Sequence, residues 1–589
     1  MLRATFAGFS TALSAIQSNQ KRLDITGQNL ANMNTPGYTR QQLETSSLNY
    51  TNPISKYMSV PTVNVGFGTQ MDRVSQIRDP YLDAQYRMQM TKSSYTDGLQ
   101  TSLDSLSRIL DESSIKGIRQ AFDDIQSSLT SIQDGAKVDD PIFESEVRSR
   151  MQALANLLND SANKITEAKQ DEFDRLYGTG TSEQGAMEKV NDLLRNIGDL
   201  NVQIKRNQIV GQPSLELLDE RNRMIDELSS YIPIEVTYYK DSEHSGTYTV
   251  NGQVRDKMYE YDQNGKVIGK KEWPDDLRIE MVYRDAKEVT QRLILVNGTE
   301  GGQGKNYGKA EIDTTKYSHE KPEGTEMSFS GFSSSTVTVT DKKVSISAGD
   351  DKTPPAAYFS GGSIQAGIDM LATSPNGPAH KSVDCYQYYT DKLDNLAASF
   401  AEVMNKLNAK GHGVTDDSKN LFVSRDPNNT TIEAANITIN PDWYSGKVHI
   451  GTGFGTTSPD PTDTVLAMLE AMKSTFASNK TTTIGGTTIA DKTVDFQLDL
   501  GNKTFVDYMN NVSTNLASDS LNNQTALKTD VTVLNGLQDS RDSISGVSLD
   551  EEASNMMTYL SAYNAASRLM TALDEALDTL INNTGRVGR

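Results

Sequence analysis

MLRATFAGFSTALSAIQSNQKRLDITGQNLANMNTPGYTRQQ, residues 1–42, decides how the rest of the chain is read. Leu2, Phe6, Phe9, Leu13, Ile16 and Leu23 recur by threes and fours, with Gln20 as the polar member of the series, which is the spacing of a coiled-coil seam. The pattern predicts a helix that begins within a few residues of Met1 and carries Leu23 and Leu30 on its apolar side. Asn29, Asn32 and Asn34, followed by Thr35-Pro36-Gly37-Tyr38, close it. Asn side chains bond to local backbone, Pro36 disfavours helix at Thr35, and Gly37 permits a positive φ.

The far end of the chain carries a matching stripe: Leu549, Ala553, Met556, Leu560, Tyr563, Ala566, Met570, Leu573, Leu577 and Leu580 again fall three or four apart. An isolated amphipathic helix is marginal in water, so each end requires a partner. Residues 1–40 carry a net charge of +3 and residues 549–581 a net −5, so the two ends attract, although salt screens such attraction at exposed positions.

Between the ends, Leu99, Leu103, Leu106 and Leu110, then Ile118, Phe122, Ile125, Leu129 and Ile132, then Met187, Val190, Leu194, Ile197 and Ile204, predict long amphipathic helices. Gly211 and Pro213 break the run before LELLDERNRMIDELSSYI. From Ile234 the period becomes two: IEVTYY, TYTV, LRIEMVY, VTQRLILV, STVTVT and KVSISA read as strands, with Asn251-Gly252, Asn264-Gly265 and Asn297-Gly298 as turns. Helical spacing returns at Leu393, Leu396, Phe400, Val403 and Leu407. Residues 411–500 are then rich in Gly, Thr and Asp, with short strands such as ANITIN and TVDFQLDL, before helix resumes near Phe505. The expected fold is α+β and multidomain. A discontinuous helical rod or bundle is formed from N-terminal, central and C-terminal segments, with two inserted mainly-β domains and terminal coiled-coil helices.

Composition excludes several functions. A chain of 589 residues exceeds what one core organises, so three or four units are expected. The net charge of −21, with no run of basic residues, argues against nucleic acid as partner. The apolar runs are far too short for membrane insertion, and the interrupted apolar stretch after Arg3 does not read as a cleaved secretory signal. The single cysteine, Cys385, excludes an intramolecular disulfide and reads as a small buried apolar residue. His244, His319, His380, His412 and His449 are scattered singly, without HExxH or cysteine companions, so no metal is expected. GTGFGTTS at 451–458 lacks the Lys-Ser/Thr ending of a phosphate loop, no GxSxG elbow stands out, and acidic pairs such as Asp275-Asp276 and Asp350-Asp351 are what so acidic a chain shows by chance. The expectation is no enzyme, no catalytic residue and no cofactor.

One segment is specific. Asn29, Leu30, Ala31, Asn32, Thr35, Pro36, Gly37 and Tyr38 resemble the NLAN-x-x-TPGY signature of flagellar rod, hook and hook-associated proteins. Gly546-Val547, Leu549-Asp550-Glu551-Glu552-Ala553, Tyr563, Ala565-Ala566 and Asp578-Thr579-Leu580-Ile581 resemble the other end of that family; Tyr559, Leu560 and Ser567 depart from its usual residues and leave the stripe intact. The interior discriminates within the family. Ile197–Val236, with Leu218-Asp219-Glu220-Arg221, and Gly361–Gly411 are similar to the helical motifs of the hook-associated protein 1 family.

The resemblance implies a structural subunit at the junction between flagellar hook and filament, exported unfolded by the flagellar type III apparatus and secreted to that site. Its assembly surfaces would be the N-terminal Leu2, Phe6, Phe9, Leu13, Ile16, Leu23 and Leu30 and the ten C-terminal stripe residues. Its implied partners are further copies of itself in a ring or helical layer, the hook protein, hook-associated protein 3 and a flagellar export chaperone. Residues 1–70 and 546–589 would form the inner polymerisation domain; residues 71–235, 359–410 and 501–545 the helical middle; residues 236–358 and 411–500 two outward inserts, expected to be dispensable. The alternatives are another axial protein, of hook or distal-rod type, and a flagellar protein whose inserts act as a surface adhesin.

Overall fold

The structure is a computed structural model. It describes residues 2–47, 68–110, 116–133, 140–178, 184–210, 212, 214–240, 246–250, 252–257, 259–261, 265–270, 275–300, 302–332, 343–349, 355–374, 384–411, 420–453, 461–478, 480–484 and 494–583. His244, His380, His412, the strand STVTVT, Asp350-Asp351 and most of GTGFGTTS lie outside them.

Helix α1 (Leu2–Ala31) leads into a hairpin of β1 (Gln41–Ser47) and β2 (Thr69–Gln76) that lies along it. The helical middle follows as α2 (Pro80–Leu110), α3 (Lys116–Ser131), α4 (Pro141–Tyr177), α5 (Ala186–Ile209) and α6 (Leu215–Tyr231). The predicted stripes are its core: Leu103, Leu106, Ile118, Ile125, Leu129, Val190, Leu194 and Ile197 are each solvent-free or nearly so. Local chemistry starts α4, where the Asp140 carboxylate accepts from the Ile142 amide and Pro141 fills the first helical position, whose amide has no intrahelical partner.

The first insert opens with β3 (Ile234–Tyr239). Two small hairpins follow: β4 (Thr247–Val250) with β5 (Gln253–Asp256), and β6 (Tyr259–Tyr261) with β7 (Val267–Lys270). Strand β8 (Asp276–Asp285) pairs antiparallel with β3 and with β9 (Thr290–Asn297). A three-stranded sheet comprises β10 (Lys309–Ile312), β11 (Met327–Ser330) and β12 (Lys343–Ile346), and β13 (Ala357–Tyr358) returns to the end of β8. Leu277, Ile279 and Met281 alternate inward on β8 and join the helical core. Buried Lys205 of α5 meets buried Asp276 at 2.7 Å, fixing the sheet to the helix.

Helices α7 (Ser363–Met370) and α8 (Tyr386–Ala409) re-enter the middle, with Cys385 buried at the start of α8. The second insert combines the hairpin β14 (Phe422–Ser424) and β15 (Ile437–Ile439), the short α9 (Pro441–Tyr444), α10 (Asp463–Lys473) and the pair β16 (Thr482–Ile484) and β17 (Val494–Phe496). Trp443, Phe422 and Phe476 are solvent-free within the same cluster as the helices. Phe400 of α8 lies within 5.5 Å of Phe122, Phe422 and Phe505, so the second insert and the bundle share one aromatic centre.

The chain closes with α11 (Phe505–Ser545), α12 (Leu549–Asp578) and a last π turn, Thr579–Asn583. Helix α11 runs antiparallel to α2: Gln89 bonds to Asp530, and Asn523 bonds to Thr96 and Gln100. Helix α12 runs antiparallel to α1, with Glu552 opposite Asn29, Tyr559 under Arg22, and Leu573 against Gly8. In both pairs successive partners are a heptad or two apart, as in a coiled coil. The molecule is thus two helix pairs in series, each built from one N-terminal and one C-terminal segment, with the inserts on the middle pair. Among the described residues no helix is long and apolar enough to cross a membrane.

Candidate functional site

The two helix pairs meet where the signature segment lies. Three main-chain crossings run there: residues 32–40 between α1 and β1, residues 77–79 between β2 and α2, and residues 546–548 between α11 and α12. Helix α1 stops through a series of local turns: Thr35 N–H donates to Asn32 C=O, Tyr38 N–H to Thr35 C=O, and Gly37 sits at φ 79°, where a β-carbon is strained.

Asn29, 1% exposed, is the centre of this joint. Its amide nitrogen donates to Gln41 C=O at 3.0 Å and to Glu552 at 3.3 Å; its amide oxygen accepts from Gln41 N–H at 3.0 Å and from the Tyr38 hydroxyl at 2.9 Å. Every hydrogen-bonding group of the side chain is used. Arg40 then forks onto two of the three acidic residues of the α12 start, Nη1 and Nη2 on Glu551 at 3.0 and 2.8 Å and Nε on Glu552 at 2.8 Å. Its main chain donates to Ser545 C=O and accepts from Ile77 N–H, both at 2.9 Å. Thr39 donates through its amide and its hydroxyl to Asp219 of α6, at 3.1 and 2.6 Å. Burial, together with Asp219, Glu216 and Glu552, pushes the Tyr38 hydroxyl up to about 12, which keeps it a donor at neutral pH. Burial also raises the Asp219 carboxyl, against the lowering effect of Thr39 and Arg78.

Beneath the joint runs a line of alternating charge. Asp219 is followed by Arg78 (3.9 Å), Asp83 (3.1 Å), Arg541 (3.0 Å), Asp226 (2.8 Å) and Arg87 (2.7 Å), drawn from the α2 approach, α2, α6 and α11. A cleft of about 790 Å³ opens beside it between Met33–Thr39 and the α11–α12 link.

The predicted seams fall differently. In α1, Phe9, Ile16, Leu23 and Leu30 are half-buried, Leu13 is 48% exposed, and Leu2 and Phe6 have side chains outside the described set. In α12 the single stripe divides. The line facing α1 passes through Glu552, Tyr559, Ala566 and Leu573, and Tyr563, Met570 and Leu577 lie near it, half-buried. At about 100° per residue, Leu549, Ala553, Met556 and Leu560 fall to one side of that line, and all four are exposed. The side chain of Leu580 lies outside the described set. Of the signature, Asn29 is buried, Leu30, Asn32 and Tyr38 are half-buried, and Ala31, Thr35, Pro36 and Gly37 are exposed. Arg40, Thr39 and Glu552, which do most of the clasping, were absent from the predicted site. The opposite charges of the two ends and, for Glu552, the C-terminal family pattern are their sequence signals.

The remaining candidates are structural. His319 and His449 pair at 3.0 Å with Asp174 and Glu144, and among the described residues no group of His, Cys, Asp or Glu could hold a metal ion.

Three family models match the chain in order: flagella basal body rod protein at residues 9–39, the flagellar hook-associated protein FlgK helical domain at 103–305, and the flagellar basal body rod FlgEFG protein C-terminal at 539–583. Flagellar hook-associated protein 1 of Bacillus subtilis is 27% identical over the full length of both chains. Those of Salmonella typhimurium and Escherichia coli are 23% and 22% identical, over 97% of this chain and 98% and 99% of theirs. A solved structure, the flagellar hook junction protein FlgK from Burkholderia pseudomallei, matches with 12% identity and a TM-score of 0.47, over 78% of this chain and all of that one. With the rod-type ends bracketing the hook-associated helical domain, and relatives aligned from end to end, the chain is similar along its whole length to flagellar hook-associated protein 1.

Proposed function

We propose that the chain is a structural subunit of the bacterial flagellum that forms the zone between hook and filament, and that it assembles through the α1–α12 pair. The observation that carries this reading is the apolar surface left uncovered on more than one side of that pair. Leu13, Leu549, Leu560 and Leu569 are each about half exposed and Met557 is 72% exposed, while the polar joint at the foot of the pair is closed by the bonds of Asn29 and Arg40. Burying a Leu is worth about 1.5–3 kcal/mol, so a few such side chains covered by neighbouring copies supply a driving force absent in one chain.

In this reading the axial neighbours are the hook protein on one side and hook-associated protein 3 on the other. Export runs through the flagellar type III apparatus with a dedicated chaperone, and the inserts face outward as spacers. The division into an inner terminal pair, a helical middle and two inserts supports that orientation.

The test is Leu560→Asp, with Leu13→Asp beside it. Both positions are exposed in the single chain, so the variants fold and are exported as wild type, and a charge then enters the subunit contact. Complementation of motility in a deletion strain, with immunolocalisation at the hook tip, reads the result. Loss of incorporation is expected, and normal incorporation of both variants overturns the proposal.

A further inference from the structure

Next to the line of alternating charge lies a seventh ionised group with no counterpart. Asp219, Asp83 and Asp226 are matched by Arg78, Arg541 and Arg87, one for one. Arg221 of α6 is 4% exposed, and among the described residues no carboxylate lies within ion-pair distance of it. Its Nη1 donates to Asn201 Oδ1 of α5 at 2.9 Å, and the Tyr238 hydroxyl of β3 is its other side-chain partner. Neither partner is a carboxylate. Arg87 and Arg78 are its charged neighbours, and both repel it.

Three buried donors at this place have no acceptor: Nε of Arg221, Nδ2 of Asn201, and Nη2 of Arg87. The Nε–H of a planar guanidinium points away from Nη1, so Arg221 Nε opens on the side opposite the Asn201 bond and stays an unmet donor of its own. A guanidinium does not shed its proton in a protein, and an ionised group buried without a counter-charge is strongly destabilising. A neighbouring subunit cannot deliver a carboxylate to a side chain so enclosed. A small ion from solvent can reach it past Tyr238, which is half exposed.

We propose that Arg221 binds a small inorganic anion of halide size at its Nε, which completes the charge balance at the centre of the helical middle. The site is independent of the assembly reading, because it lies inside one chain.

The test follows thermal unfolding of the full chain while sodium chloride replaces sodium gluconate at constant ionic strength. The midpoint is expected to rise saturably by about 2 °C or more across a hundredfold increase in chloride, bromide acting likewise, and Arg221→Met is expected to lose the dependence. An equal midpoint in both salts, as when buried water alone meets these donors, overturns the proposal, and so does a chloride response that survives in Arg221→Met. Crystals of the wild-type chain grown in bromide give a reading that needs no variant. An anomalous peak within hydrogen-bond distance of Arg221 Nε supports the site, and its absence overturns it.

Discussion

Asn29 ties three segments with one amide: the end of α1, the start of β1, and Glu552 at the start of α12. Asn29→Leu keeps roughly the same volume but strands the Gln41 amide and the Tyr38 hydroxyl in a buried place, which is expected to cost about 2–4 kcal/mol. Asn34→Leu, just beyond the end of α1 and exposed, is expected to stay within about 0.5 kcal/mol. Denaturant midpoints of the two variants, at unchanged slope, check the contrast. The sequence pointed to this segment, and its turn chemistry was legible in Pro36 and Gly37. The bonds that make it a joint were not, since local pattern reports on neighbours three or four residues away, whereas Thr39 meets Asp219 across 180 residues and Asn29 meets Glu552 across 523.

At the scale of helices, apolar periodicity predicted existence well and facing less well. The stripes of α3 and α8 are buried throughout, because each of those helices is surrounded by the core. That of α12 splits, because a helix covered on one side only has two classes of apolar residue, and spacing by threes and fours does not separate them. Close packing adds a constraint that no stripe reveals. Gly98 lets α2 approach α7 so tightly that a Cβ there would stand 2.9 Å from Ala366 Cβ. Gly98→Val is therefore expected to cost about 1–3 kcal/mol through overpacking, in spite of its better helix propensity. A lowered thermal midpoint with unchanged helix content before melting verifies it.

For the whole molecule, the core of the scaffold runs into both inserts, and only one stretch of the first stands apart from it. Strands β3 and β8 already pair directly from Tyr239 to Asp276, and Lys240 meets Asp275 at 2.9 Å. Everything between is an excursion from a finished hairpin. Replacing residues 241–274 by Asn-Gly is expected to change stability by no more than about 0.5 kcal/mol. Removal of 412–500 strips Trp443, Phe422 and Phe476 from the common core and is expected to abolish cooperative unfolding, read by calorimetry and by dye binding to exposed apolar surface. The sequence, read as alternating patterns, made both inserts equally peripheral; shared burial puts β8 and the second insert in the common core, to which no described residue of 241–274 belongs.

The antiparallel pairing of the first helix with the last also sets an order of events. Closing a loop of more than five hundred residues from a random chain is entropically slow. Once α2 and α11 have docked, the ends of the chain are held side by side a few residues from their joint, and the same closure becomes local. The terminal pair is expected to be the last part of the chain to fold. A subunit therefore gains its axial surface only after its middle is in place.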